Sequence, residues 1–207
     1  MRPLPLWATL FAVAPLAGAA QPAPRLYVGA SAVLLRLYPF EEYANTHLGP
    51  AATVGLQLSS RWAVETGAQV AWQRQEFTRY LGPSAPASYA INRVTTLVMP
   101  LLARYTATST QAPVQVDVVG GASLLRQAWH TAYDYSSGSQ LFHSEERYSS
   151  NYFCVGLGPQ LRYAWGSKLA VKLTAPLNLR VTELDLFGFA RSLFLNPQVG
   201  VQYTLGS

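Results

Sequence analysis

The sequence predicts an all-β protein, an eight-stranded antiparallel up-and-down barrel that crosses a membrane. Three observations predict it. Half of the 207 residues are hydrophobic and only 12% are charged, against roughly 25% charged in ordinary soluble chains. No run reaches the ~18 consecutive apolar residues that a membrane-spanning helix needs. The apolar residues instead recur at every second position, the period of strands with one face in an apolar medium. This combination argues against a helical membrane protein and against an ordinary cytosolic enzyme.

Met1 to Ala20 reads as an export signal. Arg2 gives a positive start, Leu4 to Leu16 an apolar core, and Ala17-Gly18-Ala19-Ala20 small cleavage sites. Pro3, Pro5 and Pro15 count against an anchoring helix. The barrel domain is then expected over residues 21–207, with no linker or composition shift to divide it. Loss of the signal removes Arg2 and no acid, so the formal charge falls from +5 to +4. The bases form no run, which argues against nucleic acid as a partner. Cys154 is the single cysteine, read as a buried packing residue rather than a nucleophile.

Four segments alternate clearly. In Trp62 to Gln73, one face holds Trp62, Val64, Thr66, Ala68, Val70 and Trp72, and the other Glu65, Gly67, Gln69, Ala71 and Gln73. Phe153 to Tyr163 sets its apolar face against Cys154, Gly156, Gly158, Gln160 and Arg162. Leu169 to Thr182 opposes Leu and Val to Lys172, Thr174, Asn178 and Arg180. Leu193 to Leu205 opposes Leu, Val and Tyr to Asn196, Gln198, Gly200 and Gln202. Weaker strands are expected at Arg25–Leu37, where both parities are apolar, and at Leu48–Ser59, Arg93–Thr106 and Val114–Arg126.

Short turns are expected near Ser59-Ser60, Ala107–Ala112 and Gly166-Ser167. Long loops are expected at Tyr38–His47, Gln75–Ile91, Gln127–Ser150 and Glu183–Arg191. Short turns on one side and long loops on the other are the layout of outer-membrane barrels. Pro50, Pro100, Pro159, Pro176 and Pro197 each remove a ladder donor and are expected at bulges.

Aromatic spacing decides which face points out. Trp62 and Trp72 lie ten residues apart on one face, as do Phe153 and Tyr163. At ~3.3 Å per residue and ~40° tilt, ten residues span about 25 Å, the height of the apolar band between aromatic girdles. Trp62, Trp72, Tyr105, Phe153, Tyr163 and Tyr203 are therefore expected in the girdles, with the apolar faces toward lipid.

Thr96 to Tyr105 reads TLVMPLLARY. It resembles a strand motif of the outer-membrane β-barrel domain family of PorT-like and OmpA-like proteins. Met99-Pro100-Leu101-Leu102 and Arg104-Tyr105 match its core, while Thr96 and Val98 depart from it. The glycine pairs Gly120-Gly121 and Gly156-Gly158 and the signal-like start resemble the same family. The resemblance implies an outer-membrane location and assembly by the barrel assembly machinery, more than any activity. The chain ends Tyr203-Thr204-Leu205-Gly206-Ser207, without the terminal aromatic many such barrels present to that machinery.

Counting from the short turns places Glu65, Arg104, Asp117, Arg162 and Lys172 on the inner face at similar height. Small barrels are filled by side chains, so these five are expected to form an internal charge network that closes the lumen, with Glu65 and Asp117 paired to Arg104, Arg162 and Lys172. The histidines fall in the expected long loops. His143, Ser144, Glu145 and Glu146 supply the residue types of a lipid-modifying hydrolase, but adjacency is not a triad. Tyr133, Tyr135, Phe142, His143 and Tyr148 are candidate loop contacts for an extracellular protein or glycan. No cofactor or metal is expected. The leading reading is a monomeric, non-enzymatic outer-membrane protein, surrounded by outer-membrane lipid, with a structural or surface-interaction role. The alternatives are a lipid-modifying hydrolase and a small transport component.

Overall fold

The structure, a computed structural model, describes residues 24–37, 46–79, 88–137, 140–183 and 192–206. The signal-like start and the stretches 38–45 and 184–191 of the first and last long loops lie outside the described residues. The strands are β1 (Arg25–Leu37), β2 (Thr46–Gln57), β3 (Trp62–Arg79), β4 (Ser88–Thr106), β5 (Val114–Ser137), β6 (Gln140–Trp165), β7 (Leu169–Thr174), β8 (Leu177–Arg180), β9 (Leu193–Leu195) and β10 (Gln198–Thr204). They make eight walls, because β7 and β8 are one wall interrupted at Ala175-Pro176, and β9 and β10 one interrupted at Asn196-Pro197.

Every pairing is antiparallel, and β1 pairs both β2 and the β9–β10 wall, so the sheet closes. Closure is staggered. The register runs from Tyr27 through Gly55, Glu65, Leu102, Gly121, Gly156, Asn178 and Phe194, and returns to β1 at Leu37, ten residues farther along. Ten residues of ~3.3 Å against eight strand spacings of ~4.8 Å set the strands about 40° from the barrel axis. One residue then rises about 2.5 Å toward the long-loop side, and each step along the register from β3 to β7 rises about 3 Å more.

The faces follow the alternation read from the sequence. Trp62, Trp72, Leu157, Leu161, Tyr163 and Val199 point outward and are exposed, whereas Glu65, Gln69, Arg104, Asp117, Gln160 and Lys172 point inward and are buried. In β1 the inward parity is Tyr27, Ser31, Val33, Leu35 and Leu37. Its upper half is apolar on both faces because an apolar cluster of Val33, Leu35, Leu37, Ala71, Val98, Leu125, Cys154 and Phe194 fills the upper lumen.

Two expectations are corrected. The prolines do not sit at bulges, since the pairing sums on either side of each one agree. Leu48↔Trp72 and Ala51↔Gln69 flank Pro50 in step, as Gln160↔Thr174 and Leu157↔Leu177 flank Pro159 and Pro176. Each proline leaves a gap in one ladder and keeps the register, and its carbonyl still accepts. Ala175 N donates to Pro159 O, Asn196 N to Pro176 O and Leu34 N to Pro197 O. Thr66 Oγ1 donates to Pro100 O at 2.9 Å. The second correction concerns the segments read as loops at Gln75–Ile91 and Gln127–Ser150. Their described residues are strand, because β3–β4 pair out to Arg79↔Ser88 and β5–β6 out to Ser137↔Gln140, while 80–87 and 138–139 lie outside the described residues. Their polar residues broke the apolar alternation without breaking the ladder, since above the membrane neither face of a strand needs to be apolar.

Candidate functional site: the lumen and the projecting hairpin

The lumen is filled in two storeys. In the lower one, Arg104 is fully buried. Its Nη1 donates to Glu65 Oε1 at 2.9 Å and to Gln202 Oε1 at 3.3 Å, and its Nη2 donates to Gln57 Oε1 at 2.6 Å. The guanidinium carbon lies 5.0 Å from the centre of the Tyr27 ring, a cation–π distance. Tyr27 O–H donates to Glu65 at 2.8 Å. Gly55 makes that geometry available, for any Cβ there would run into the Tyr27 ring.

Asp117 accepts from Arg162 Nε at 3.2 Å and Nη2 at 3.3 Å, and from Gln160 at 3.0 Å. Arg104 Nε stands 3.9 Å from the same carboxylate, and Lys172 Nζ 3.9 Å from Glu65. The five charges named from the sequence thus share one cluster, though Arg104 meets Glu65 more closely than Asp117. Tyr27, Gln57, Gln160 and Gln202 join them. The sequence signal for the glutamines was their inward parity, while the ambiguous parity of β1 hid Tyr27.

Between the storeys, Asn196 Nδ2 donates to Gln69 at 2.7 Å, and within the upper one, level with Leu35 and Ala71, His47 Nδ1 lies 3.3 Å from Thr96 Oγ1. A void bordered by Thr53, Glu65, Lys172 and Gln198 measures about 20 Å³, room for roughly one water. Below the network, a vestibule of about 380 Å³ lined by Arg25, Gln57, Arg162 and Gln202 opens toward the short turns.

Outside, Trp62 stacks obliquely on Tyr105 at 4.9 Å. By the register, Trp62, Tyr105, Tyr163 and Tyr203 fall within about 3 Å of one level, and Trp72 and Phe153 about 25 Å above it. That is the height expected of an outward apolar band between two girdles.

Above the upper girdle β3 to β6 project as a four-stranded extension of the wall, since β4 pairs both β3 and β5 out to Ser88, and the β5–β6 hairpin reaches farthest, to Ser137↔Gln140. Phe153 to the start of β6 at Gln140 is thirteen residues, about 40 Å of strand. Tyr133, Phe142 and Tyr148 are exposed on it, and Tyr148 stacks on Trp129 at 4.7 Å. The candidate contacts therefore sit on strands, not in a loop. The side chain of Tyr135 lies outside the described residues. His143 Nδ1 lies 2.7 Å from Asp134 and its Nε2 3.5 Å from Glu145, which also meets His130 and Arg147. Strand alternation puts Ser144 and Glu146 on the opposite face from His143 and Glu145, so the hydrolase residue types are not brought together. No group of three or more metal-ligating side chains is present among the described residues.

The carboxylate of Asp134, and next that of Glu145, raise the His143 pKa from its ordinary 6.5. Hydrogen bonds from His130, Arg147 and His143 lower the Glu145 pKa from 4.5. A raised histidine contributes stability that is complete below its unfolded pKa and is lost as pH rises through the folded one. A depressed carboxylate contributes above its unfolded pKa and loses it as pH falls through the folded one. Protection of the hairpin amides, the intrinsic exchange rate at each pH divided by the observed one, is therefore expected to be greatest between about pH 4.5 and 6.5. His143→Ala should remove the alkaline limb of that profile.

A closed ladder satisfies every backbone group without water, the one β solution for crossing a bilayer. With an outward apolar band and two girdles, it defines the class as an outer-membrane-type β-barrel. No protein-family model and no curated protein sequence matches the chain. Among solved structures it is similar to a major outer membrane protein from Thermus thermophilus, at 12% identity, over 89% of this chain and 100% of that one, with a TM-score of 0.49. It is also similar to Ail, the attachment invasion locus protein of Yersinia pestis, at 12% identity over 88% and 97% with a TM-score of 0.47. A third is Neisserial surface protein A, at 13% identity over 86% and 96% with a TM-score of 0.43. At these identities the likeness is one of fold.

Proposed function

We propose that this chain is a closed, non-conducting and non-enzymatic outer-membrane barrel that acts through its surface, above all the β5–β6 hairpin. One observation carries the reading: among the described residues the lower lumen is filled by a mutually bonded set of buried charges, under an upper storey of packed apolar side chains with the buried Arg180 and His47, which supports a filled rather than an open lumen. Transport is thereby disfavoured, and the exposed aromatics of the hairpin become the surface offered to a partner, an extracellular protein or a glycan. In planar bilayers the purified barrel is expected to give no steady conductance, and sustained channel openings would overturn the reading. A barrel lacking residues 131–146 is expected to remain heat-modifiable on gels while losing adhesion to host-matrix proteins or glycans arrayed on a surface. Adhesion equal to that of the intact barrel would remove the hairpin from the function.

A further inference from the structure

A row of basic side chains, three arginines and a histidine, crosses the outside of the wall just above the upper girdle. Arg74 on β3 pairs with Arg93 on β4, Arg93 with His130 on β5, and His130 with Arg147 on β6. All four have the outward parity of Trp72, which lies two residues below Arg74. The row therefore starts about 5 Å above the girdle and climbs about 3 Å per strand. The headgroup layer adds roughly 5–8 Å to each side of the hydrocarbon core, so Arg74 and Arg93 lie within it and His130 and Arg147 stand above it. Arg126, also exposed on β5, lies about level with the girdle.

Like charges directly opposite one another across antiparallel strands destabilise the sheet. Acids of the chain offset only part of this row. Glu76 meets Arg74 at 2.6 Å, and Glu145 meets Arg147 at 3.0 Å and His130 at 3.2 Å. Arg93, in the middle, and Arg126 below it have no acidic partner among the described residues. A concavity of about 650 Å³ opens there, lined by Arg93, His130 and Arg147 with the hydroxyls of Thr95 and Ser149. Its chemistry fits an anion with several acceptor oxygens, which a guanidinium fork binds in two places. Its position is reached from the side of the membrane.

We propose that this row binds the phosphate group of an outer-leaflet lipid headgroup, held by Arg93 and Arg126, with the acyl chains descending the wall past Leu97, Leu124 and Phe153. The bound anion supplies the negative charge that the sheet lacks at Arg93. The inference is independent of what the hairpin binds.

The test titrates the folded barrel in an uncharged maltoside detergent with bisphosphorylated lipid A and with the same lipid after dephosphorylation, and counts retained lipid by native mass spectrometry. The phosphorylated lipid is expected to be retained and the dephosphorylated one not. Arg93→Gln with Arg126→Gln should lower retention about tenfold or more, in line with about 1 kcal/mol per surface arginine near anionic lipid. Arg93→Lys with Arg126→Lys keeps the charge but not the fork, so its retention should fall between the parent and the glutamine variant. Because Arg93→Gln also relieves the repulsion from Arg74, its urea midpoint without lipid should equal or exceed the parent's, which separates lost binding from lost folding. Equal retention by the glutamine variant, or equal retention of the dephosphorylated lipid, overturns the proposal. Displacement of the lipid by millimolar inorganic phosphate overturns the assignment to a membrane lipid.

Discussion

Glu65→Leu is expected to destabilise the barrel by about 3–5 kcal/mol, the cost of stranding a buried base. Glu65 is the closest acid to Arg104, at 2.9 Å, and also accepts from Tyr27. Without it, Arg104 keeps the amides of Gln57 and Gln202 and an acid at 3.9 Å, too little to offset its desolvation. The double variant Glu65→Leu with Arg104→Leu should recover part of the loss, since packed apolar side chains can replace a buried pair at little cost, while Lys172 stays without the acid it faces at 3.9 Å. Urea unfolding from lipid vesicles, followed by tryptophan fluorescence, measures both. If the double variant loses the sum of the two singles, the pair does not interact. The structure shifts the emphasis from Asp117, whose nearest base is Arg162, to Glu65.

Leu157→Arg should cost about 2–4 kcal/mol, the penalty for an arginine on the lipid face at the midplane. Leu157 points outward at 64% exposure. By the register it lies about 14 Å above the lower girdle, half-way up the band. Tyr163→Arg, at the girdle, should cost about 0–1 kcal/mol. Val70→Arg falls between them. The sequence places Val70 between two tryptophans and suggests a midplane position, but it lies about 20 Å up, near the upper edge. Gln69→Arg, which the alternation alone marks as mild, is not so in a filled lumen, where Gln69 is buried against Asn196. Equal losses for Leu157→Arg and Tyr163→Arg would reject the placement of the band.

The lipid-facing alternation was legible because a strand in a membrane must keep one face apolar along its span, and Trp62 to Trp72 does so except at Thr66, whose hydroxyl is bonded to Pro100 O. Counting along that alternation from the short turns also brought five charges to one level. What escaped was set by neighbours rather than by the strand itself. Tyr27 could not be placed, because the apolar upper lumen gives β1 two apolar faces. Arg74, Arg93, His130 and Arg147 lie 17 to 37 residues apart in the chain, so their row exists only in the register. The projecting hairpin was read as loop for a related reason, since above the membrane nothing enforces alternation.

Each of the eight walls places at least one residue in the lower network: Tyr27, Gln57, Glu65, Arg104, Asp117, Arg162 with Gln160, Lys172 and Gln202. The set therefore reads out the stagger of the whole barrel. If any one strand slips by a single residue, its member turns to the lipid and leaves a charge or amide unanswered inside. A slip of two keeps the face but moves the group about 7 Å along the strand, beyond reach of its partners. Lipid-facing leucines and valines tolerate either error, because one methyl against an acyl chain is much like another. Fidelity of assembly thus resides in the polar interior, which is complete only after the last strand has met the first and which penalises every neighbouring register at once.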